Sequence, residues 1–347
     1  YGDGVDNDNN GYIDDINGWD FVANVPDPRP KYSADCLTRG TCIKKAIEHG
    51  TIISGIAAAM TNNGQGIAGI SWFTKIMPLR ALDENGNGNT VDVVRAINYA
   101  VINKADIINL SFVSRYYDED FFQAIKRAYM AGIVIVASAG NEEYYWEVDQ
   151  RTGSLREVGL PIDLDKQKRY PVCFDADFGV NMIIGVAATD ENDRLAYFSN
   201  YGSRCVDILA PGQNIFGAVV YDQRVPQLSK YYDGDLSGTS LAAPIVSGIA
   251  ALIKSFNPSL NNKQIINYII NYASNIDAIN KYSLAGKLGR GLLNPVQIFS
   301  AFSQDLIGGK LIKGQDSTIY YLANDGKRYV FPDQKVFLSW FDNYNNV

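Results

Sequence analysis

The run Ile133-Val134-Ile135-Val136-Ala137-Ser138 leaves the fold little freedom. A strand with almost no polar face has to be covered on both sides. That is the setting of a parallel strand between two helical layers. The flanking sequence supplies the rest of such a sheet. Residues 75–81 and 107–112 read as strands, 90–103 and 118–131 as helices with apolar residues at helical spacing, and 182–189 as a further strand. This alternation predicts an α/β fold with a doubly wound, mostly parallel sheet and helices on both faces. Ligands of such sheets bind outside the carboxyl ends of the strands. Three places are singled out: Ser111-Phe112-Val113-Ser114, Ala139-Gly140-Asn141, and the Gly- and Asn-rich turn at 83–89.

A chain of 347 residues has room for one such domain, over 1–303, and a small module over 304–347. In the latter, aromatics alternate with polar residues in Ile319-Tyr320-Tyr321-Leu322 and Arg328-Tyr329-Val330-Phe331, with Asn324-Asp325-Gly326 as a hairpin signal between them. It reads as the opening of a small β module, cut short. Net charge is −7 and no basic stretch resembles a nucleic-acid footprint, so nucleic acid is not the expected partner. Segment 241–256 is apolar but short for a membrane span and carries Pro244, Ser247 and Gly248. It reads as a buried core helix. The first residue is Tyr1, with neither Met nor a signal peptide. A removed start or a fragment is expected, and secretion is left open. The four cysteines, Cys36, Cys42, Cys173 and Cys205, lack the spacing of a zinc site. Their even number permits two disulfides, Cys36 with Cys42 and Cys173 with Cys205. Four free thiols are the alternative.

The chemistry concentrates at Gly238-Thr239-Ser240-Leu241-Ala242-Ala243-Pro244. A polar, acidic loop at 231–235 leads in, Gly238 permits a sharp turn, and Pro244 is tolerated near the first turn of a helix. Ser240 then stands at a helix N-terminus, among free N–H groups and the positive end of the dipole. That suits a nucleophile whose reaction develops an oxyanion. An ordinary N-cap serine has the same local sequence. His49, the only histidine, heads a small-residue apolar helix and is the one imidazole for general acid–base work. A lone histidine is also often without a chemical role. Asn141 follows Gly140 at a strand end, where its amide can face an oxyanion or simply form a turn. Ser, His and Asn on one α/β sheet make an acyl-transfer constellation.

Near the start, Asp6, Asp8 and Asn10 alternate, followed by Gly11, Tyr12 and Asp14. This is the ligand order of an EF-hand-like loop: three side chains, a glycine, a backbone carbonyl from Tyr12 and a carboxylate from Asp14. Asn17 occupies the place of the usual bidentate Glu, and Asp15 is the substitute. Ca²⁺ is the expected ion, in a structural role, and a solvated acidic turn is the alternative.

Taken together, these local sequences resemble the subtilisin-like serine proteases (subtilases, the peptidase S8 family) over about residues 3–301. Gly238-Thr239-Ser240-Leu241-Ala242-Ala243-Pro244 is similar to the nucleophile motif, with Leu241 where Met is usual. His49-Gly50-Thr51, followed by Ser54-Gly55, is similar to the histidine motif, with Ile52 where a second His is usual. Ala139-Gly140-Asn141 is similar to the oxyanion motif, and Ser199-Asn200-Tyr201-Gly202 with Ala210-Pro211-Gly212 also match. The acidic start through Gly18-Trp19-Asp20-Phe21 resembles a subgroup carrying such a segment between the catalytic Asp and His. The resemblance implies a serine endopeptidase acting on polypeptides. Ser240 would attack the scissile carbonyl, His49 would carry the proton, and Asn141 with the Ser240 N–H would hold the oxyanion. Ser111, Phe112 and Val113, with Gly86, Asn87 and Gly88, would pair with an extended substrate. Ala139 and Gly140 would help to wall the pocket for the residue before the cut.

The family's catalytic Asp lies in an Asp-Thr-Gly-like motif at the end of an early strand, and no such motif precedes His49. Asp3, Asp6 and Asp20 stand in the wrong context. The expectation is a chain that starts downstream of that strand. Its sheet should show a gap or a rearranged edge, and it should be nearly inactive without an upstream segment or propeptide of the same protein. The tail, notably Gly326-Lys327-Arg328-Tyr329-Val330-Phe331-Pro332 and Ser339-Trp340-Phe341, resembles a short repeat of bacterial surface proteins, which implies an extracellular or cell-surface location. The alternative function is a non-catalytic subtilase-like binding or cell-surface module.

Overall fold

The computed structural model describes residues 2–141, 144–148, 155–159, 161–305, 310–313, 319–322 and 328–330. The chain divides into two compact units, Tyr1–Leu293 and Asn294–Val347.

In the first unit, strands β1 (Trp19–Asp20) and β2 (Leu79–Arg80) pair parallel as a two-stranded sheet. Four more strands, β3 (Ile107–Leu110), β4 (Val134–Ser138), β7 (Ile183–Thr189) and β8 (Ile208–Pro211), form a parallel sheet in the order β3-β4-β7-β8. Between β4 and β7 the chain makes an antiparallel hairpin, β5 (Tyr144–Val148) with β6 (Leu155–Gly159). The apolar run that dictated the class is the interior of the sheet: every residue of β4 is buried. Among the described residues, β2 pairs only with β1, and β3 only with β4. Two parallel sheets therefore stand where a single one is usual, each with an unpartnered edge strand. The strand read over 75–81 shrinks to Leu79–Arg80. Its ladder begins at Pro78, which has no N–H and gives only its carbonyl, to Trp19 N at 3.2 Å.

Helices cover the sheet. Helix α3 (Thr90–Ile102) is capped by Asn89 and α4 (Glu119–Met130) by Asp118, each side chain accepting from the third helical N–H. Helix α5 (Thr239–Phe256) packs on all four strands of the larger sheet and on helix α2 (Lys44–Ala58). With 18 residues and mean hydropathy 1.5, α5 has the length and character of a membrane span. Its Ala242, Ala243, Val246, Ala250 and Ile253 are fully buried, however, and it is the core of the unit. Gly248 lets α5 pass close to α2 and to the chain after it: a Cβ there would lie 3.2 Å from the Ala57 carbonyl oxygen of α2 and 2.6 Å from the Ile70 Cβ. Helix α6 (Asn262–Asn271) starts on a capping box of Asn261 and Gln264.

Several local readings change. Residues 26–40 are not loop throughout. Helix α1 (Ala34–Arg39) follows the last of the alternating prolines, capped by Ser33 and ended by Gly40 at φ 69°. The segment 231–235 is mostly strand: β10 (Tyr232–Leu236) pairs antiparallel with β9 (Ile215–Ala218), on which α2 rests. Ala210-Pro211 belongs to β8 rather than to a turn. The cysteines are bonded as Cys36–Cys42 and Cys173–Cys205.

The second unit contains α7 (Pro295–Asp305) and an antiparallel sheet of β11 (Lys310–Lys313), β12 (Ile319–Leu322) and β13 (Arg328–Val330). Asn324-Asp325-Gly326 and everything after Val330, Ser339-Trp340-Phe341 included, lie outside the described residues.

Candidate active site

Ser240 is the second residue of α5, half-buried, at the carboxyl end of the larger sheet. Pro244 falls in the second turn of this helix, not the first. It cannot give the N–H that would bond the Ser240 carbonyl, and the Ser111 hydroxyl, 2.9 Å away, bonds that carbonyl instead. Ser111 in turn accepts from Asn109 Nδ2 at 2.8 Å, and Asn109 Oδ1 accepts from Ser247 Oγ at 2.9 Å. A chain of four polar side-chain and main-chain groups thus ties the start of α5 to the end of β3. Ser111 was expected to meet a substrate through its backbone; its side chain also holds the helix that carries Ser240.

Asn141 follows β4 and bridges antiparallel to Ser199. Its Oδ1 accepts from Thr239 N at 2.8 Å and from Thr239 Oγ1 at 2.9 Å. With the carbonyl end committed, Nδ2 faces the other way. A Cβ built on Gly238 would lie 3.0 Å from Ser240 Oγ and 3.1 Å from Asn141 Nδ2. The hydroxyl and the amide therefore border one small space, and it is open only because residue 238 has no side chain. Gly140 has φ +94°, and a Cβ there would lie 2.9 Å from Asn200 Nδ2. Asn200 fixes this strand end: its Nδ2 donates to Ala139 O, its N to Gly140 O, and its Oδ1 accepts from Ile162 N.

His49 is not at the head of its helix. Helix α2 begins at Lys44, and His49 is its sixth residue, half-buried, with Glu48 turned inward beside it. The apolar pattern misplaced the start because Lys44-Lys45 looks like loop, whereas Lys44 reaches along the helix toward Glu48. Burial, and then the Lys45 ammonium, hold the imidazole below its ordinary pKa. Among the described residues His49 has no hydrogen-bond partner, carboxylate or otherwise. The structure thus brings Ser240, Asn141 and Ser111 together and leaves His49 unoriented.

Phe112 points to the far face and stacks on Phe121, centroids 6.3 Å apart, while Val113 lies against Gly140. Gly86, Asn87 and Gly88 form a turn closed by Asp83 N to Asn87 O (2.7 Å) and the Leu82–Gly88 bridge, with Gly86 beside Ala46 on α2.

At the acidic start, Asp6 accepts from Asn10 N and Gly11 N, and Asp8 also accepts from Asn10 N. These two carboxylates share one turn. Asp14 is engaged elsewhere, taking N–H groups of Gly2, Asp3 and Gly4. The Tyr12 ring packs edge-on against Trp19 and Tyr99. Among the described residues, no three acidic, His or Cys side chains are grouped to hold a metal.

Thr239, Asn200 and Asn109 escaped the reading of the sequence as site residues, although Thr239 and Asn200 stood in recognised motifs. The signal for Ser111 was Pro244 itself, four residues after Ser240.

The model of the subtilase family matches residues 29–293. A thermophilic serine proteinase of Bacillus sp. (strain AK1) is 34% identical over 273 residues, 79% of this chain and 55% of that protein. A halolysin-like extracellular serine protease of Natrialba magadii is 32% identical over 75% of this chain and 39% of its own length. The chain thus spans about half, or less, of the length of these relatives. Among solved structures, a protease of Pseudoalteromonas arctica PAMC 21717 superposes with TM-score 0.58 at 27% identity, covering 73% of this chain and 70% of that one. The family model covers well over half of the sequence, and the chain belongs to the subtilase family of serine peptidases.

Proposed function

We propose that the full-length protein is a serine endopeptidase in which Ser240 attacks the peptide carbonyl, His49 moves the proton, and Asn141 Nδ2 with the Ser240 N–H holds the oxyanion. The observation that carries this is the space bordered by Ser240 Oγ and Asn141 Nδ2, with Thr239 fixing which end of the amide faces it. Preset donors aimed at developing charge lower the barrier because no reorganisation is needed at the moment of reaction. Ser111, Phe112, Val113 and the turn Gly86-Asn87-Gly88 would flank an extended substrate, as in strand addition.

His49 still needs an orienting carboxylate. The unpartnered edges of β2 and β3 leave room for one more parallel strand. An upstream segment bringing an Asp at its end is the occupant this reading calls for. Measuring casein hydrolysis and fluorophosphonate labelling of Ser240, in the full-length protein and in residues 1–347 alone, tests both parts. The isolated chain should be slower by about 10⁴-fold, the order of loss when the triad's Asp is gone. Full activity of the isolated chain rejects the incomplete triad. No labelling of the full-length protein rejects the peptidase and favours a non-catalytic binding or cell-surface module.

Extracellular location is supported by the two disulfides and by the halolysin-like relative, which is extracellular by name. A cell-surface role for residues 304–347 rests on the repeat-like tail. Calcium at Asp6, Asp8, Asn10, Tyr12 and Asp14 is proposed as a structural ion. To join it, Asp14 has to leave the amides of Gly2–Gly4. Millimolar EGTA should then lower Tm by several degrees, reversed by Ca²⁺ and not by Mg²⁺; an unchanged Tm removes the ion from the account.

A further inference from the structure

Resting on the peptidase reading above, we propose that Val113 fills the pocket for the residue preceding the scissile bond and restricts cleavage to small, uncharged side chains at that place. A substrate carbonyl held between Ser240 Oγ and Asn141 Nδ2 sits at the ends of β3 and β4. Its own side chain must enter the crevice between these two strand ends. The parallel register Leu110–Ala137 carries on to set Val113 beside Gly140. Side chains alternate along the end of β3. Phe112 faces α4, where it stacks on Phe121. Ser111 faces α5, where it bonds the Ser240 carbonyl, and Val113 shares that face.

The two methyl groups of Val113 lie 3.2 and 3.3 Å from where a Cβ on Gly140 would be. The isopropyl group thus spans the crevice from one strand end to the other. It remains 37% exposed, so it meets an incoming side chain rather than the core. The chain just after Val113 is also tied down. Ser114 and Tyr170 exchange both backbone hydrogen bonds, at 2.6 and 2.9 Å. Ala139 and Gly140 lie buried beneath the crevice, and of the described residues Val113 and Asn141 border what remains open, neither of them charged. A phenyl or isobutyl group would have to displace the isopropyl group from a strand end tied on both sides. Excluding groups of that size by a filled apolar pocket is worth about 10–200-fold in kcat/KM.

The test uses the full-length protein and tetrapeptide p-nitroanilides that differ only in the residue before the cut: Ala, Leu, Phe or Glu. Ala should exceed Phe at least ~10-fold in kcat/KM. V113G should raise the Phe-to-Ala ratio at least ~10-fold, with V113A in between. V113A keeps the Cβ and guards against a glycine variant that fails to fold, and only ratios are compared. Preference of the wild type for Phe or Leu overturns the inference, as does a ratio unchanged in both variants while Ser240 still labels with fluorophosphonate. If Ser240 does not label in the wild type and no peptide is cut, the peptidase reading falls and the inference with it.

Discussion

Pro244 creates a vacancy in the helix ladder at the residue where chemistry is expected. The Ser240 carbonyl has no i+4 donor, and the Ser111 hydroxyl takes that place. A carbonyl near a buried helix start is expensive to leave unsatisfied, about 1–3 kcal/mol. S111A should therefore lower the unfolding free energy by about 1–3 kcal/mol in urea titration, with the m-value unchanged. A loss under ~0.3 kcal/mol would mean that water or the backbone replaces the hydroxyl without cost. At this scale the sequence was legible where a residue type is nearly obligatory. Ser240 and Asn141 were singled out by the combination of short motifs, each of which alone also fits an N-cap or a turn. The part that the Ser111 hydroxyl and Thr239 play was not legible, because it comes from partners 129 and 98 residues away.

Helix α2 shows the same limit one level up. Its apolar face seats Ile52 and Ile56 in the core, and its small-residue, apolar character was readable in the sequence. Its start and its polar contacts were not. Glu48 is buried against β10, and its Oε1 has no hydrogen-bond partner among the described residues. Lys44 is shared between Glu48 at 3.8 Å and Asp233 at 2.8 Å, and Lys230 also reaches Asp233. Burial, opposed by Lys44 and reinforced by Asp233, raises the Glu48 pKa to about 7. Asp233, paired with both lysines, is lowered to about 2. In the folded chain Glu48 is thus easier to keep neutral than charged. E48Q should stabilise the protein by about 1–2 kcal/mol at pH 8 and leave it nearly unchanged at pH 5. An E48Q protein less stable than wild type at pH 8 would show that the Lys44 ion pair outweighs burial of the carboxylate.

Over the whole molecule, buried acids of the same kind set the pH response. Burial raises Asp207 to about 7 and Asp175 to about 6. Both lie at the end of the sheet opposite Ser240, accepting from backbone N–H groups at the starts of β7. A carboxyl group whose pKa is raised by folding gives stability that is complete below its ordinary value, about 4, and is lost as pH rises through the folded value. Glu48, Asp175 and Asp207 all act in this direction up to about 7. His49, lowered by burial, acts oppositely, costing stability as pH falls below the ordinary imidazole value. Three groups against one predict a Tm that falls by roughly 5 °C between pH 5 and pH 8. A Tm that is flat or rises over that interval contradicts it. The sequence by itself determined the class of fold and nominated the candidate residues of the site. An apolar run has one place in a covered sheet, and short Gly, Ser, Asn and His motifs mark which residues to look at. The gap in the sheet was expected from the missing early motif; only the tertiary structure decided that Thr239 aims the Asn141 amide, that Val113 closes on Gly140, and that His49 lies within its helix with no hydrogen-bond partner among the described residues. Each of these depends on contacts between residues distant in the chain, and no local period or propensity encodes such distances.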